Sequence, residues 1–239
     1  SGGLLGASCL TFDGTNDIAS IPDNGAISGL SLMTVEGWAK YDADTSGFSY
    51  ICRKESEYQL GINSSGYFYS WIKEAGGTER EVLGTVNLRD AKWHHYAMVW
   101  DGSKAIGYLD GKKLGEASGG TAAVNNSGNV LSVGCRDADA TASSWMKGSI
   151  DELRVWSTAR TVTQIRAGMF TQYGSGEGGL AGYWKMDEGT DTDGDDEVAD
   201  SSSNSNVLTF GATSGGANPP SWATSGITGG SNGAEHGFT

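Results

Sequence analysis

Almost every patterned stretch of the chain alternates apolar and polar positions as a β-strand does. "CLTF" runs into an Asp13-Gly14 turn, and "DIASIPD" closes on a proline. "LMTVEGWAKY", "FSYICRK" and "YQLGIN" follow. The short turn Asn63-Ser64-Ser65-Gly66 then leads into "YFYSWIK", so these last two segments predict a hairpin. Downstream, Asp101-Gly102 and Asp110-Gly111 punctuate "KWHHYAMVWDGSKAIGYLDGKKLGEA". Both pairs favour the positive φ angles of tight turns and predict three short antiparallel strands. "NVLSVGC", "GSIDELRVW", "LAGYWKM" and "NVLTFGA" supply further strands. Short strands with regular turns predict an all-β antiparallel sandwich or jelly roll.

One segment breaks the pattern. "TARTVTQIRAGMF" places Val162, Ile165 and Met169 at helical spacing, with Thr161 and Gln164 spaced as a capping box. A single short helix is expected there. The segment 1–214 reads as one domain, and 215–239 as a Gly/Ser-rich tail or linker, poor in apolar residues apart from Trp222 and Ile227.

Two strands carry more information than the rest. In "WHHYAMVW", Trp93, His95, Ala97 and Val99 share one face while His94, Tyr96, Met98 and Trp100 share the other. Both faces are largely apolar, which predicts a central strand covered on both sides. In "YFYSWIK", Tyr67, Tyr69 and Trp71 share a face opposite Phe68, Ser70 and Ile72. If Phe68 and Ile72 enter the core, the Tyr-Tyr-Trp row becomes an outer aromatic strip. Such a strip could stack on sugar rings, form a protein contact, or pack against the chain itself. Trp145, in the polar stretch "ASSWMKG", could add to a ligand rim or cover a sheet edge.

Composition narrows the function classes. Of 239 residues, 37% are hydrophobic and 10% aromatic, enough for a packed core. The net charge of −13 argues against nucleic acid or an anionic membrane, since a phosphate binder needs a basic surface. No apolar run is long enough to span a membrane. Cys9, Cys52 and Cys135 are odd in number and far from any CxxC spacing, which speaks against zinc. They read as buried free thiols, or as one disulfide with one free thiol. The chain opens at Ser1, which reads as a processed start or an excised fragment.

The order of "LTFDGTNDIASIP", "LMTVEGWAKY", "KWHHYAMVWDGSKAIGYLDGKKL", "SVGCRD", "GSIDELRVWSTARTVTQI" and "GYWKMDEG" with "VADSSSNSN" resembles the LamG/pentraxin-like branch of the concanavalin A-like lectin and glucanase superfamily. The resemblance covers roughly residues 5 to 210. It implies a jelly roll of two curved antiparallel sheets. It also implies a module of secreted, surface or adhesive proteins, often binding sugars and often holding calcium.

The glucanases of that superfamily carry Glu-x-Asp-x-Glu on one strand, because two carboxyls must flank one glycosidic bond. Glu55 and Glu57 alternate, as do Glu79 and Glu81, but neither pair has the central Asp. Arg80 between the latter two favours a solvated hairpin end. No His-Glu-x-x-His motif is present. The chain is therefore expected not to be an enzyme.

For metal, the resemblance places Asp151 of "GSIDELRVW" where the superfamily's β-glucanases hold a structural calcium. Asp13, Asn16 and Asp17 offer further oxygen donors, and calcium takes 6 to 8 of them. The alternative is that Asp151 and Asp13 only cap turns. A pentraxin-type ligand calcium would use Asp137 and Asp139, but Arg136 stands where that family has an acid. The acidic run from Asp191 fails as an EF-hand loop, with Asp196 at the glycine position and Ser202 at the glutamate position.

The expected function is a non-catalytic extracellular module for carbohydrate binding or adhesion with a structural calcium. Its partners would be glycans or a surface protein. The alternative is a structural or assembly protein, such as a virion decoration protein or filament subunit, binding itself or other structural subunits. The expected location is extracellular, at a cell surface or at a virion surface.

Overall fold

The turn residues act as their types demand. Asn63 caps its own turn, its side chain accepting from Ser65 N and Tyr67 N at 2.9 and 3.0 Å. Asp110 and Gly111 both take positive φ, 49° and 68°, as a tight hairpin turn requires. In the computed structural model, residues 5–137, 144–189, 197–211 and 218–227 are described. Their strands are β1 (Ser8–Asp13), β2 (Ala19–Ile21), β3 (Met33–Tyr41), β4 (Ser49–Lys54), β5 (Tyr58–Ile62), β6 (Tyr67–Lys73), β7 (Glu79–Asn87) and β8 (His94–Trp100). After these come β9 (Lys104–Leu109), β10 (Lys112–Ser118), β11 (Leu131–Val133) and β12 (Lys147–Trp156). The helix α1 (Val162–Gly168) is followed by β13 (Leu180–Trp184), β14 (Glu197–Val198), β15 (Leu208–Phe210) and β16 (Ser221–Thr224).

Two antiparallel sheets form a sandwich. The first runs β10-β9-β8-β3-β12-β1-β16, and the second runs β14-β15-β2-β11-β4-β5-β6-β7. In the first sheet β3 holds one side of β12, while the other side is shared. There β1 pairs with residues 147–150 and β13 with residues 153–156, so Asp151 and Glu152 lie at the junction. The segment from residue 215 includes β16, which pairs with β1 and packs Trp222 against the core. Residues 221–224 of it thus add a strand to the first sheet.

The core between the sheets holds Phe68 and Ile72 with Tyr96, Met98, Trp100 and Trp184. The other face of β8 is covered as well: Ala97 and Val99 pack with Trp38, Ile165 and Met169 beneath α1. A capping box starts this helix, with Gln164 N donating to Thr161 Oγ1 at 3.2 Å and Thr161 N to Gln164 Oε1 at 2.8 Å. The three cysteines are buried, and none is joined in a disulfide. Among the described residues, no helix is long and apolar enough to cross a membrane.

Candidate functional site

While α1 covers one outer face of the sandwich, side chains on the outer face of β4–β7 form an open groove. It encloses about 380 Å³, within the range of small-ligand sites. Strand alternation supplies part of its lining. Phe68, Leu60 and Ile72 turn inward, so Tyr69, Trp71 and Gln59 turn outward. Tyr69 sits across from Gly61, and Trp71 lies between Gln59 and Glu81.

A bulge supplies the rest. The register of β4 against β5 shifts between Tyr50 and Cys52, so Tyr50 and Arg53 both reach the groove although they are three apart. Gly61 permits this close approach. A Cβ at Gly61 would lie 2.9 Å from Tyr50 Cα and closer still to the Ser49 carbonyl oxygen. Phe48 completes the aromatic cluster, stacked on Tyr50 at 6.3 Å between centroids and edge-on to Tyr69 at 5.5 Å.

Polar groups are fixed around these rings. Tyr69 donates its hydroxyl to Glu81 Oε1 at 2.9 Å, and Trp71 Nε1 donates to Glu79 Oε2 at 3.2 Å. Burial raises the Tyr69 phenol above its ordinary value, and the hydrogen bond and charge of Glu81 raise it further. It therefore stays a donor at neutral pH. Arg53 donates Nε to Gln59 Oε1 at 3.0 Å and forms ion pairs with Glu55 and Asp137.

Of the aromatic row expected from sequence, Tyr69 and Trp71 line the groove, while Tyr67 and Trp145 are half-buried outside its lining. Trp71 is only 8% exposed, so it forms the groove's wall rather than a free platform. Phe48, Tyr50, Arg53, Gln59, Glu79 and Glu81 are groove residues that the sequence pattern did not single out as ligand contacts. The alternation of Glu79 and Glu81 was the available signal. Arg80 turns away to Glu74 at 2.8 Å, leaving both carboxylates on the groove side.

The proposed metal donors do not converge. Asp13 Oδ1 accepts from Thr15 N at 2.7 Å, and Asp13 N donates to Asp17 Oδ2 at 2.7 Å, so these acids cap their own loop. Asn16 belongs to the same loop and bonds Asn218 at 3.3 Å. Asp13 stands opposite Lys147, four residues along β12 from Asp151, a separation of about 13 Å at strand rise. Asp137 is engaged by Arg53, and Asp139 lies outside the described residues, as does most of the acidic run from Asp191.

Asp151 is different. It is fully buried; Ser225 Oγ donates to its Oδ2 at 2.7 Å, while Oδ1 has no hydrogen-bond partner. Burial pushes its carboxyl well above the usual range, and the charges of Glu152 and Asp187 push it further. Asp187 also has an unpartnered buried oxygen, Oδ1. Among the described residues, no three His, Cys, Asp or Glu side chains are grouped to hold a metal.

Comparison with known proteins places this architecture. In structure the chain is similar to a candidate carbohydrate-binding protein from Bacteroides ovatus, with a TM-score of 0.72 and 22% identity over 93% of this chain. The chain spans 62% of that protein's length. It is similar also to domain 4 of an extracellular arabinanase from Geobacillus stearothermophilus, solved with arabinotriose (TM-score 0.52, 18% identity, 69% of this chain and 76% of that one). A heptameric pentraxin from Limulus polyphemus gives a TM-score of 0.50 at 14% identity, over 68% of this chain and 81% of its own. No curated protein matches the sequence. Residues 13–166 match the laminin G model of the concanavalin A-like lectin/glucanases superfamily, and the chain belongs to that family.

Proposed function

We propose that this chain is a non-catalytic carbohydrate-binding module of an extracellular protein, and that the sugar lies in the groove of β4–β7. One observation carries the reading: Phe48, Tyr50, Tyr69 and Trp71 gather on one outer face, interleaved with fixed hydrogen-bonding groups. Aromatic faces receive the apolar side of a sugar ring, and the carboxylates and amide take its hydroxyls. The carbohydrate-binding protein from Bacteroides and the arabinotriose-bound domain from Geobacillus support the reading by fold alone. The expectation of no catalysis rests on the missing Glu-x-Asp-x-Glu run.

The test is glycan-array binding of the whole chain beside its Tyr69→Ala and Phe48→Ala variants. Each truncation should weaken binding about tenfold, as loss of a stacking ring does. Retained binding in both variants would move the site elsewhere.

We also propose a structural calcium, at Asp151 with Asp187 in place of the Asp13 loop. Its support is their two orphaned buried oxygens. Backbone carbonyls and water would complete the shell.

A second reading, assembly with other copies or structural subunits, is favoured by exposed apolar residues on neighbouring edge strands. These are Leu83 and Val86 on β7, 52% and 61% exposed, and Leu114 on β10 at 36%. Sedimentation that stays monomeric at high concentration would dismiss self-assembly.

A further inference from the structure

We infer that the groove selects uncharged sugars over uronates and sulfated glycans, and that Glu81 sets this choice. The inference rests on the carbohydrate reading above. The cations lining the groove are already engaged. Arg53 pairs with Glu55 and Asp137, Lys73 lies 3.6 Å from Glu79, and Arg136 lies 3.4 Å from Asp137. An anionic sugar would have to pull a cation away from its carboxylate before gaining an ion pair.

Glu81 is the acid left over. It lines the groove, is solvent-exposed, and has no cation within ion-pair distance among the described residues. Its polar partner is the Tyr69 hydroxyl. That donor orients the carboxylate, and lone pairs remain for a ligand. A sugar hydroxyl donating to it makes a charge-assisted hydrogen bond, whereas a uronate or sulfate meets an unpaired like charge. The protein's net charge of −13 adds repulsion at longer range.

The experiment is affinity electrophoresis and calorimetry of the full chain. The probes are soluble neutral polymers (arabinan, galactan, xylan, mixed-linkage glucan) and anionic ones (polygalacturonate, heparin), at low and high salt. At least one neutral polymer should bind with an affinity that salt leaves unchanged. Glu81→Gln should weaken it about fivefold, the difference between a charge-assisted and a neutral hydrogen bond. Glu81→Lys should admit polygalacturonate in a salt-sensitive manner. Unchanged neutral binding in Glu81→Gln would remove Glu81 from this role. Wild-type binding that prefers the anionic polymers and weakens with salt would overturn the inference but leave the carbohydrate reading standing. Binding to neither class would overturn both.

Discussion

Arg160 lies over Trp156, its guanidinium carbon 4.0 Å from the ring centroid, while both residues reach the same carboxylate, Glu36. Trp156 Nε1 donates to Glu36 Oε1 at 2.9 Å, and Arg160 forms an ion pair with that oxygen. Glu36 is fully buried in β3, and Arg160 begins the segment leading into α1. Arg154 extends the network, donating to the carbonyls of Gly168 and Thr171 at 2.8 Å each. The helix is thus held to the first sheet by its apolar face and by one buried ionic cluster. Arg160→Ala would leave the buried carboxylate without its closest cation, at a cost of about 3–5 kcal/mol. Urea unfolding should show this loss while glycan binding at the opposite sheet survives in the folded fraction. A cost below about 1 kcal/mol would mean that the cluster is no tether.

His94 makes stability depend on pH. Burial alone would lower its pKa, but Asp110 at 2.7 Å and Asp90 at 3.3 Å outweigh this and leave it above the ordinary imidazole value. A group raised on folding stabilises fully below its unfolded value of about 6.5. That contribution is lost as pH rises through the folded value. Between about pH 6 and pH 8 the wild type should therefore lose melting temperature that His94→Ala does not. Parallel Tm profiles for the two proteins would reject the pairing.

Much of this was legible in sequence because each rule involved is local. Thr161 and Gln164 sit three apart, and the alternation in "YFYSWIK" sends Phe68 and Ile72 inward. The groove was only half legible. Strict alternation places Tyr50 and Arg53 on opposite faces, and only the bulge after Tyr50 brings them together. A bulge is set by pairing with β5 and by Gly61, neither of which β4 itself reveals. The calcium reading joined Asp151 to the Asp13 loop on the family resemblance; the β1–β12 register, a non-local fact, separates them. Likewise β16 has few apolar residues, and its place is decided by the backbone edge that β1 offers.

Gly61 gives a prediction of unusual sign. Ala for Gly in a strand ordinarily stabilises, by about 0.4–1 kcal/mol. Here the added methyl would meet the backbone of Ser49 and Tyr50 rather than a yielding side chain. Gly61→Ala should instead cost about 1–3 kcal/mol, as overpacking does. It should also weaken glycan binding, because opening the β4 bulge withdraws Tyr50 and Arg53 together. Thermal melts and the array assay would register both effects. A stabilised variant with full binding would show that the close approach is not needed.

The cation proposal separates from simple burial through Asp151→Asn. In wild type without a cation, Asp151 Oδ1 stays buried and unpartnered, and burial resists its charge. Asparagine has nearly the same shape and carries no charge, so in chelator the variant should melt no lower than wild type. Calcium should raise the wild-type Tm, since a ligand at 100 times its Kd adds about 2.7 kcal/mol of stability. It should leave Asp151→Asn unmoved, because one of the two acids facing the ion is gone. Asp187→Asn should blunt the response in the same way, whereas Asp13→Asn should not, its side chain being committed to the Thr15 turn. Equal calcium shifts in all four proteins would place the ion elsewhere, and no shift in any of them would leave Asp151 a buried acid bonded to Ser225 with no metal role.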